Sequence, residues 1–206
     1  MKKLYLLRHG QTEFNVKKLV QGRCDSPLTD LGRQQAGMAA AWLKAHNVVP
    51  DKVVSSPLGR AMATASLVAT ELLGADADVE PCEGIIERCY GTFEEGPHDA
   101  LPTDVWDPGE DLIPFGGEGS QALQTRMVST FANLMGAKGI ETLLAVSHGS
   151  ASRQFIKAAA PGGFELPTKL PNCAIMIFDF DDAREEDDTL QCKFTLQQIV
   201  DPQQSH

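Results

Sequence analysis

The stretch KLYLLRHG, at residues 3–10, passes from an apolar run directly into Arg-His-Gly. A second stretch, TLLAVSHG at residues 142–149, has the same order of an apolar run, a histidine and a glycine. Short runs that are almost wholly apolar are typical of strands that helices cover on both faces. The two stretches therefore predict strands inside an α/β sheet, each with a histidine at its carboxyl end.

The segments around these two runs extend the pattern. Residues 52–55, 174–180 and 191–200 also have the composition of strands. One helix is expected to follow a Thr29 cap and another to begin at Pro57, because a Thr cap and an early proline mark helix starts. Strands that alternate with helices predict an α/β fold, a three-layer α/β/α sandwich with a mostly parallel central sheet.

The chain has 206 residues, of which 42% are hydrophobic and 22% charged, as in a globular protein. This length predicts a single domain over residues 1–206. Residues 83–119 interrupt the alternation, since they are rich in Gly, Pro and acids. A connection this long is usually functional, and its aromatic residues give it something to pack with. We therefore expect residues 83–119 to form an ordered lid inserted over the sheet edge.

Charge and cysteine content limit the class of protein. The formal net charge is −10, which argues against a nucleic-acid partner because binding to phosphate backbone needs a basic surface. No apolar segment reaches the length of a membrane span or of a signal-peptide core, so no membrane partner is expected. The five cysteines form no CxxC pair, which favours reduced thiols and a cytoplasmic location. The oligomeric state is left open.

The two histidines that end the apolar runs are candidates for chemistry. Ligands of open α/β sheets bind beyond the carboxyl ends of the strands, so His9 and His148 are expected to project into one crevice. The glycine after each histidine allows close approach of backbone to a ligand. Arg8 directly precedes His9, and Arg60 lies in the first turn of the helix expected after residues 52–55. A guanidinium group can donate two parallel hydrogen bonds to the oxygens of a phosphate. The pattern favours a phosphate site.

Five blocks of sequence carry a resemblance to a known family. They are LRHGQTEFN at 7–15, QG with DSPLT at 21–29, SSPLGRA at 55–61, ERCYG at 87–91 and SHG at 147–149. In this order they resemble the histidine phosphatase superfamily, in its phosphoglycerate-mutase-like branch. The resemblance runs from residue 4 to about residue 178.

The resemblance implies a mechanism and a set of site residues. His9 would be the nucleophile and carry a phosphohistidine, while Glu87 would protonate the leaving oxygen and later help water to attack. Arg8, Arg60, Asn15 and His148 would hold the non-bridging oxygens of the phosphoryl group. The remaining residues expected to bind phosphate or substrate are Gly10, Gln21, Gly22 and Gly149. The resemblance implies no metal ion and no cofactor.

The family contains mutases as well as phosphatases, so the reaction needs a separate argument. Residues 89–125 contain no Lys or Arg, and a bisphosphoglycerate would find no countercharge there. We therefore expect hydrolysis of a small phosphorylated metabolite with a neutral or hydrophobic leaving group. The alternatives are a cofactor-dependent phosphoglycerate mutase and a catalytically silent phosphate-ligand binding protein. Because GTFEEG at 91–96 departs from the family pattern, Glu94 is a second candidate for the acid.

Overall fold

The computed structural model describes residues 1–159, 166–167, 169–181 and 194–204. The strands are β1 (Lys2–Arg8), β2 (Lys52–Ser55), β3 (Glu80–Pro81), β4 (Thr142–Ser147), β5 (Ile175–Phe180) and β6 (Phe194–Val200). In the described part of the chain they form one six-stranded sheet in the order β3-β2-β4-β1-β5-β6. The first four strands pair in parallel, and β5 and β6 add an antiparallel edge.

Helices cover both faces of this sheet. They are α1 (Glu13–Lys17), α2 (Asp30–Ala45), α3 (Gly59–Leu73), α4 (Ser120–Gly136) and α5 (Gly149–Ala159). Helices α2 and α3 pack together against one face, and α4 and α5 pack against the other. The predicted three-layer α/β/α fold with a mostly parallel sheet is confirmed. No helix in the described ranges is long and apolar enough to cross a membrane.

The alternation of side chains along the central strands builds two cores. Leu4 and Leu6 of β1 join the cluster that contains Phe131 and Phe155, on the side of α4 and α5. Leu7 points to the opposite side and joins the cluster formed with α2 and α3. Successive residues of a strand point to opposite faces, so an apolar strand serves both cores at once. This double burial fixes the position of the residues that follow β1.

Three predicted boundaries can be compared with the structure. The Thr29 cap is confirmed, since its Oγ1 accepts the N–H of Gly32 at 3.0 Å. Helix α3 begins at Gly59 with Leu58 as its N-cap, so the prediction that it begins at Pro57 is wrong by two residues. The last strand begins at Phe194 among the described residues, and residues 191–193 of its predicted span lie outside them.

Residues 83–119 contain four short 3₁₀ turns, at Glu83–Ile85, Gly91–Phe93, His98–Ala100 and Ile113–Phe115. Tyr90 packs in a small apolar cluster with Val20 and donates its hydroxyl to the carbonyl oxygen of Val105 at 2.7 Å. The buried guanidinium of Arg88 donates to the carbonyl oxygen of Glu118 at 2.8 Å and to the Oγ of Ser120 at 2.8 Å. These contacts order the segment beside the carboxyl ends of the strands.

Candidate active site

A cavity of about 250 Å³ opens between the carboxyl ends of the central strands and the 83–119 segment. Of the ten site residues predicted from the sequence, eight line this cavity. They are Arg8, His9, Asn15, Gln21, Gly22, Arg60, Glu87 and Gly149. The other two, Gly10 and His148, lie outside the lining. The structure therefore brings together residues from five separate sequence blocks.

His9 follows β1 directly and is 2% exposed. Its Nδ1 lies 2.7 Å from the carbonyl oxygen of Gly10. Because a carbonyl oxygen can only accept, Nδ1 carries the ring proton and Nε2 holds the free lone pair. Burial, followed by the charges of Arg60 and Arg8, holds the pKa of His9 well below its ordinary value of 6.5. The ring is neutral near pH 7, and Nε2 can act as a nucleophile.

His148 lies beside His9, with ring centroids 5.2 Å apart. Its ring is fully buried and outside the cavity lining, with Nε2 2.7 Å from the Ser56 Oγ. That hydroxyl accepts the N–H of Leu58, so its own proton can be donated to Nε2. Nδ1 then carries the ring proton, and it has no partner among the described residues. Burial and the charge of Arg60 hold the pKa of His148 well below 6.5.

Arg8 is a buried cation that lines the cavity. It is 3% exposed, and its Nη1 donates to the carbonyl oxygen of Leu170. Its Nε has no hydrogen-bond partner in the described ranges. Burial lowers the pKa of Arg8 to about 10, which leaves the guanidinium charged at neutral pH. A buried charge with an unpaired donor favours an anionic ligand.

Arg60 lies in the first turn of α3, as predicted, and is 1% exposed. A loop fixes its guanidinium: Nη2 donates to the carbonyl oxygen of Gly22 at 2.7 Å, and Nη1 donates to Asp25 Oδ1 at 3.0 Å. Its Nε, like that of Arg8, has no partner among the described groups. Burial lowers the pKa of Arg60. Two buried guanidinium groups therefore face the same cavity.

Glu87 is held at the N-terminus of α5. Its Oε1 accepts the N–H groups of Arg88 and Ala151, both at 2.8 Å, and its Oε2 accepts the N–H of Ser150 at 3.2 Å. Backbone donors at a helix start hold this carboxyl group in place. Oε2, with one long hydrogen bond, is the oxygen with more capacity left for a ligand.

Glu94, the second candidate acid, does not line the cavity. Its Oε1 accepts the N–H of Arg23 at 3.0 Å and that of Tyr90 at 2.9 Å. Its Oε2 accepts the N–H of Cys24 at 3.1 Å. Glu94 therefore links the 83–119 segment to the loop that positions Arg60. Between the two acids, the geometry favours Glu87 as the one that meets a ligand.

Local structure places three further predicted residues on the cavity wall. Asn15 completes a capping box with Thr12 at the start of α1, and its Oδ1 accepts from Asn172 Nδ2 at 3.2 Å. Gln21 accepts the hydroxyl proton of Ser26 at 3.1 Å. Gly22 has a φ of +54°, a left-handed conformation that favours glycine, and this turns its carbonyl oxygen toward Arg60.

The glycine after His9 lies in a close packing contact. A Cβ at Gly10 would lie 2.4 Å from the carbonyl oxygen of Gly32 in α2. The close approach is therefore between β1 and the start of α2. Gly10 also donates its N–H to the Oγ1 of Thr64 at 3.1 Å. The sequence pattern indicated a close approach at this glycine, and the structure shows one with Gly32.

Gly10→Ala should reduce stability because backbone atoms on both sides must shift to admit the methyl group. Overpacking of this kind costs about 1–3 kcal/mol, measurable as a lower free energy of unfolding in urea. Gly37→Ala is the matched control, since a Cβ at Gly37 in α2 meets nothing within 4 Å. That change should stabilise the helix by up to about 1 kcal/mol. Equal effects of the two changes would contradict the packing role.

The sequence analysis did not predict ten of the residues that line the cavity. They are Lys18, Leu19, Val20, Tyr90, His98, Val105, Trp106, Ser150, Lys169 and Asn172. Tyr90 and Trp106 belong to the 83–119 segment, whose aromatic residues were a usable signal. Asn172 donates to the carbonyl oxygen of His9 at 3.1 Å, a contact that only the antiparallel course of the later chain creates.

The charge of the cavity is opposite to the charge of the whole chain. The sequence argument for a neutral leaving group counted cations in residues 89–125 only, and that count does not give the charge of the cavity. Lys18 and Lys169 reach the cavity from outside that segment. Of the acids in the described residues, Glu87 alone lines it. The acids of the segment pair elsewhere, as Glu118 does with Arg126 at 2.7 Å.

The described residues contain no group of three or more His, Cys, Asp or Glu side chains that could hold a metal ion. The positive charge of the site comes instead from arginine and lysine side chains. Their arrangement around a neutral histidine, at the carboxyl ends of a parallel sheet, defines a phosphate-handling α/β enzyme.

Comparisons with known proteins place this enzyme in a family. The model of the histidine phosphatase superfamily (branch 1) matches residues 4–192. Probable phosphoglycerate mutase GpmB of Salmonella paratyphi C is 30% identical over 194 residues, 89% of this chain and 87% of that protein. A broad-specificity phosphatase of Saccharomyces cerevisiae is 30% identical over 158 residues, 75% of this chain and 69% of that protein. The chain belongs to the histidine phosphatase superfamily and is a histidine phosphatase-type enzyme.

A solved structure agrees with the whole described fold. A mutant phosphoserine phosphatase of Entamoeba histolytica, in complex with phosphoserine, superposes with a TM-score of 0.76 at 28% identity. The match covers 98% of each chain. The resemblance identified from five sequence blocks is therefore confirmed at the level of family and fold.

Proposed function

We propose that this protein hydrolyses phosphomonoesters of small metabolites without a metal ion, through a phosphohistidine on Nε2 of His9. One observation carries the proposal. The free lone pair of His9 lies in the cavity that Arg8 and Arg60 also line, and the ring of His148 lies beside that of His9. Arg8 Nε, Arg60 Nε and His148 Nδ1 are buried donors that have no partner among the described residues. A phosphoryl group offers oxygens that could accept from such donors.

In the first step, Nε2 of His9 attacks phosphorus and the bond from phosphorus to the ester oxygen breaks. Glu87, through Oε2, gives a proton to the departing oxygen. Arg8 and Arg60 stabilise the charge on the non-bridging oxygens in the transition state. The products of this step are an alcohol and phosphohistidine.

In the second step, water attacks the phosphohistidine. Glu87 accepts a proton from this water, the bond from phosphorus to Nε2 breaks, and inorganic phosphate leaves. The proton stays on Nδ1 and is donated to the Gly10 carbonyl oxygen throughout, so His9 returns to the same neutral tautomer. Glu87 thus acts first as an acid and then as a base, and is again protonated when the cycle ends.

The size of the cavity supports a small substrate. Its volume of about 250 Å³ lies below the roughly 300–1,000 Å³ of sites for drug-sized ligands. The phosphoserine bound by the Entamoeba histolytica enzyme is a small phosphorylated metabolite of this kind. Relatives that are named phosphatases, from Saccharomyces cerevisiae and Entamoeba histolytica, support hydrolysis over a mutase reaction. A silent binding protein would not need Glu87 beside the nucleophile.

Hydrolysis should not depend on a divalent cation, because arginine supplies the charge that a metal ion supplies elsewhere. Turnover of para-nitrophenyl phosphate is expected to be the same with and without EDTA. Vanadate, which adopts the five-coordinate geometry of the transition state, should inhibit strongly. Activity that is lost in EDTA and regained with a divalent cation would contradict the proposal. So would interconversion of 2- and 3-phosphoglycerate in place of phosphate release.

A further inference from the structure

A loop immediately before β5 contacts three of the predicted site residues. The carbonyl oxygen of Leu170 accepts from Arg8 Nη1. The side chain of Asn172, which lines the cavity, donates through Nδ2 to the carbonyl oxygen of His9 at 3.1 Å and to Asn15 Oδ1 at 3.2 Å. The two catalytic steps described above make no use of Asn172. Its amide nevertheless joins the main chain of the nucleophile to a side chain expected to hold a phosphoryl oxygen.

The hydrogen bonds around Asn15 determine the orientation of its amide group. The backbone N–H of Thr12 donates to Asn15 Oδ1 at 3.2 Å. A backbone N–H can only donate, so the amide atom that it meets must be the oxygen. Asn172 also donates to this oxygen, since its Nδ2 must at the same time donate to the His9 carbonyl oxygen. Asn15 Nδ2 is therefore the amide atom left to face a ligand in the cavity.

Asn172 is not itself suited to hold a phosphoryl oxygen, although it lines the cavity. The two N–H groups of its Nδ2 go to His9 and Asn15. The remaining polar atom of the side chain is Oδ1, which can only accept. An unprotonated phosphoryl oxygen needs a donor, so any effect of Asn172 on the phosphoryl group must pass through the residues that it holds.

The C-terminal segment holds Asn172 in place. Gln203 Nε2 donates to the carbonyl oxygen of Asn172 at 3.2 Å, and Gln203 Oε1 accepts from Gln35 Nε2 at 2.9 Å. Gln35 Oε1 in turn accepts the backbone N–H of Gln11 at 2.9 Å. One C-terminal glutamine therefore supports both Asn172 and the chain that follows β1.

We propose that Asn172 is a positioning residue, which holds the Asn15 amide so that Asn15 Nδ2 donates to a non-bridging oxygen of the phosphoryl group. This inference rests on the proposed function, since it concerns how the same site holds that group. A donor whose orientation is already fixed needs no reorganisation when negative charge develops on the oxygen. The contribution of Asn172 should therefore disappear when Asn15 is replaced.

A double-mutant cycle tests this dependence. Asn15→Ala and Asn172→Ala should each lower kcat/KM for para-nitrophenyl phosphate by about tenfold or more, the usual effect of losing one hydrogen bond to a charged group. The double variant should lie within about threefold of Asn15→Ala alone, because residues that act as a unit are not additive. If Asn172→Ala has no effect, or lowers kcat/KM by the same factor in both backgrounds, the proposal is overturned.

Two further variants guard against a loss of folding. Asn172→Asp keeps the size of the side chain but removes the donor, and it should lower kcat/KM at least as much as Asn172→Ala. Wild-type activity of the Asp variant would contradict the positioning role. Asn133→Ala is the control, because it makes the same change at an exposed position of α4 outside the cavity lining. It should keep the kcat/KM of the wild type.

Binding of vanadate separates failure of the positioning role from failure of the proposed hydrolysis. Calorimetry measures the Kd for vanadate without turnover, and each single change to Ala should raise that Kd by about tenfold. A non-additive cycle in Kd supports the positioning role even if the wild-type protein hydrolyses no ester, a result that would refute only the hydrolysis. Additive losses in Kd would refute the positioning role whether or not the protein is a phosphatase.

Discussion

His9→Ala is expected to lower kcat by at least about 10⁴-fold, or about 5 kcal/mol of transition-state stabilisation. The reason is that the His9 ring is neutral and its Nε2 carries a free lone pair, in the cavity that Arg8 and Arg60 also line. The variant should also form no phosphoenzyme. It should remain folded, because the core contacts of β1 are made by residues such as Leu4 and Leu6. Steady-state kinetics with para-nitrophenyl phosphate and a melting curve check both statements.

His98→Ala is the matched control for this experiment. His98 also lines the cavity, but its Nε2 lies 3.2 Å from the carbonyl oxygen of Leu19. The control protein should keep a phosphoenzyme and most of its turnover with para-nitrophenyl phosphate. A His9→Ala protein that retained a phosphorylated intermediate would show that another residue is the nucleophile.

Glu87→Gln is expected to lower kcat/KM for an alkyl phosphate by about 10²–10⁴-fold, the usual contribution of a general acid. The loss should be much smaller for 2,4-dinitrophenyl phosphate, whose phenolate departs without a proton. The quantity to compare is kcat/KM, because it reports the steps up to departure of the leaving group. The difference between the two esters is the signature of proton donation.

Glu94→Gln separates the two candidate acids. Its carboxylate binds the N–H groups of Arg23, Cys24 and Tyr90 outside the cavity. Removing that charge should loosen the loop that holds Arg60 and lower the rates for both esters by a similar factor. If Glu94→Gln shows the leaving-group difference and Glu87→Gln does not, the assignment of the acid is wrong.

The parts of the fold that follow local rules could be predicted from sequence. The continuous apolar runs of β1 and β4 and the Thr29 cap are local signals, and the structure confirms them. Strand β3 was missed because Glu80–Pro81 is only two residues long, too short to show a period. The start of α3 was misplaced because Pro57 precedes the N-cap, where its fixed φ is as well tolerated as in the first turn.

The site residues also fall into two groups, those that local sequence predicts and those that only the folded chain brings together. Arg8, His9 and Arg60 were predicted because each adjoins a strand end, where the topology itself delivers side chains to the crevice. The environment of His148 depends on Ser56, which is 92 residues away in sequence, and no local pattern specifies such a contact. Lys18 and Lys169 also come together only in the folded chain. Charge counted along one segment therefore misjudged the charge of the cavity.

The measurement that most directly tests the catalytic proposal is the location of phosphate on the rapidly quenched enzyme, by mass spectrometry at alkaline pH and by phosphorus NMR. The Nδ1 of His9 donates a hydrogen bond to the carbonyl oxygen of Gly10 at 2.7 Å, so phosphorus should be bonded to Nε2. The account predicts one phosphohistidine, at His9, with the Nε2 linkage. Phosphate on Nδ1, on another residue, or on no residue during active turnover would contradict it.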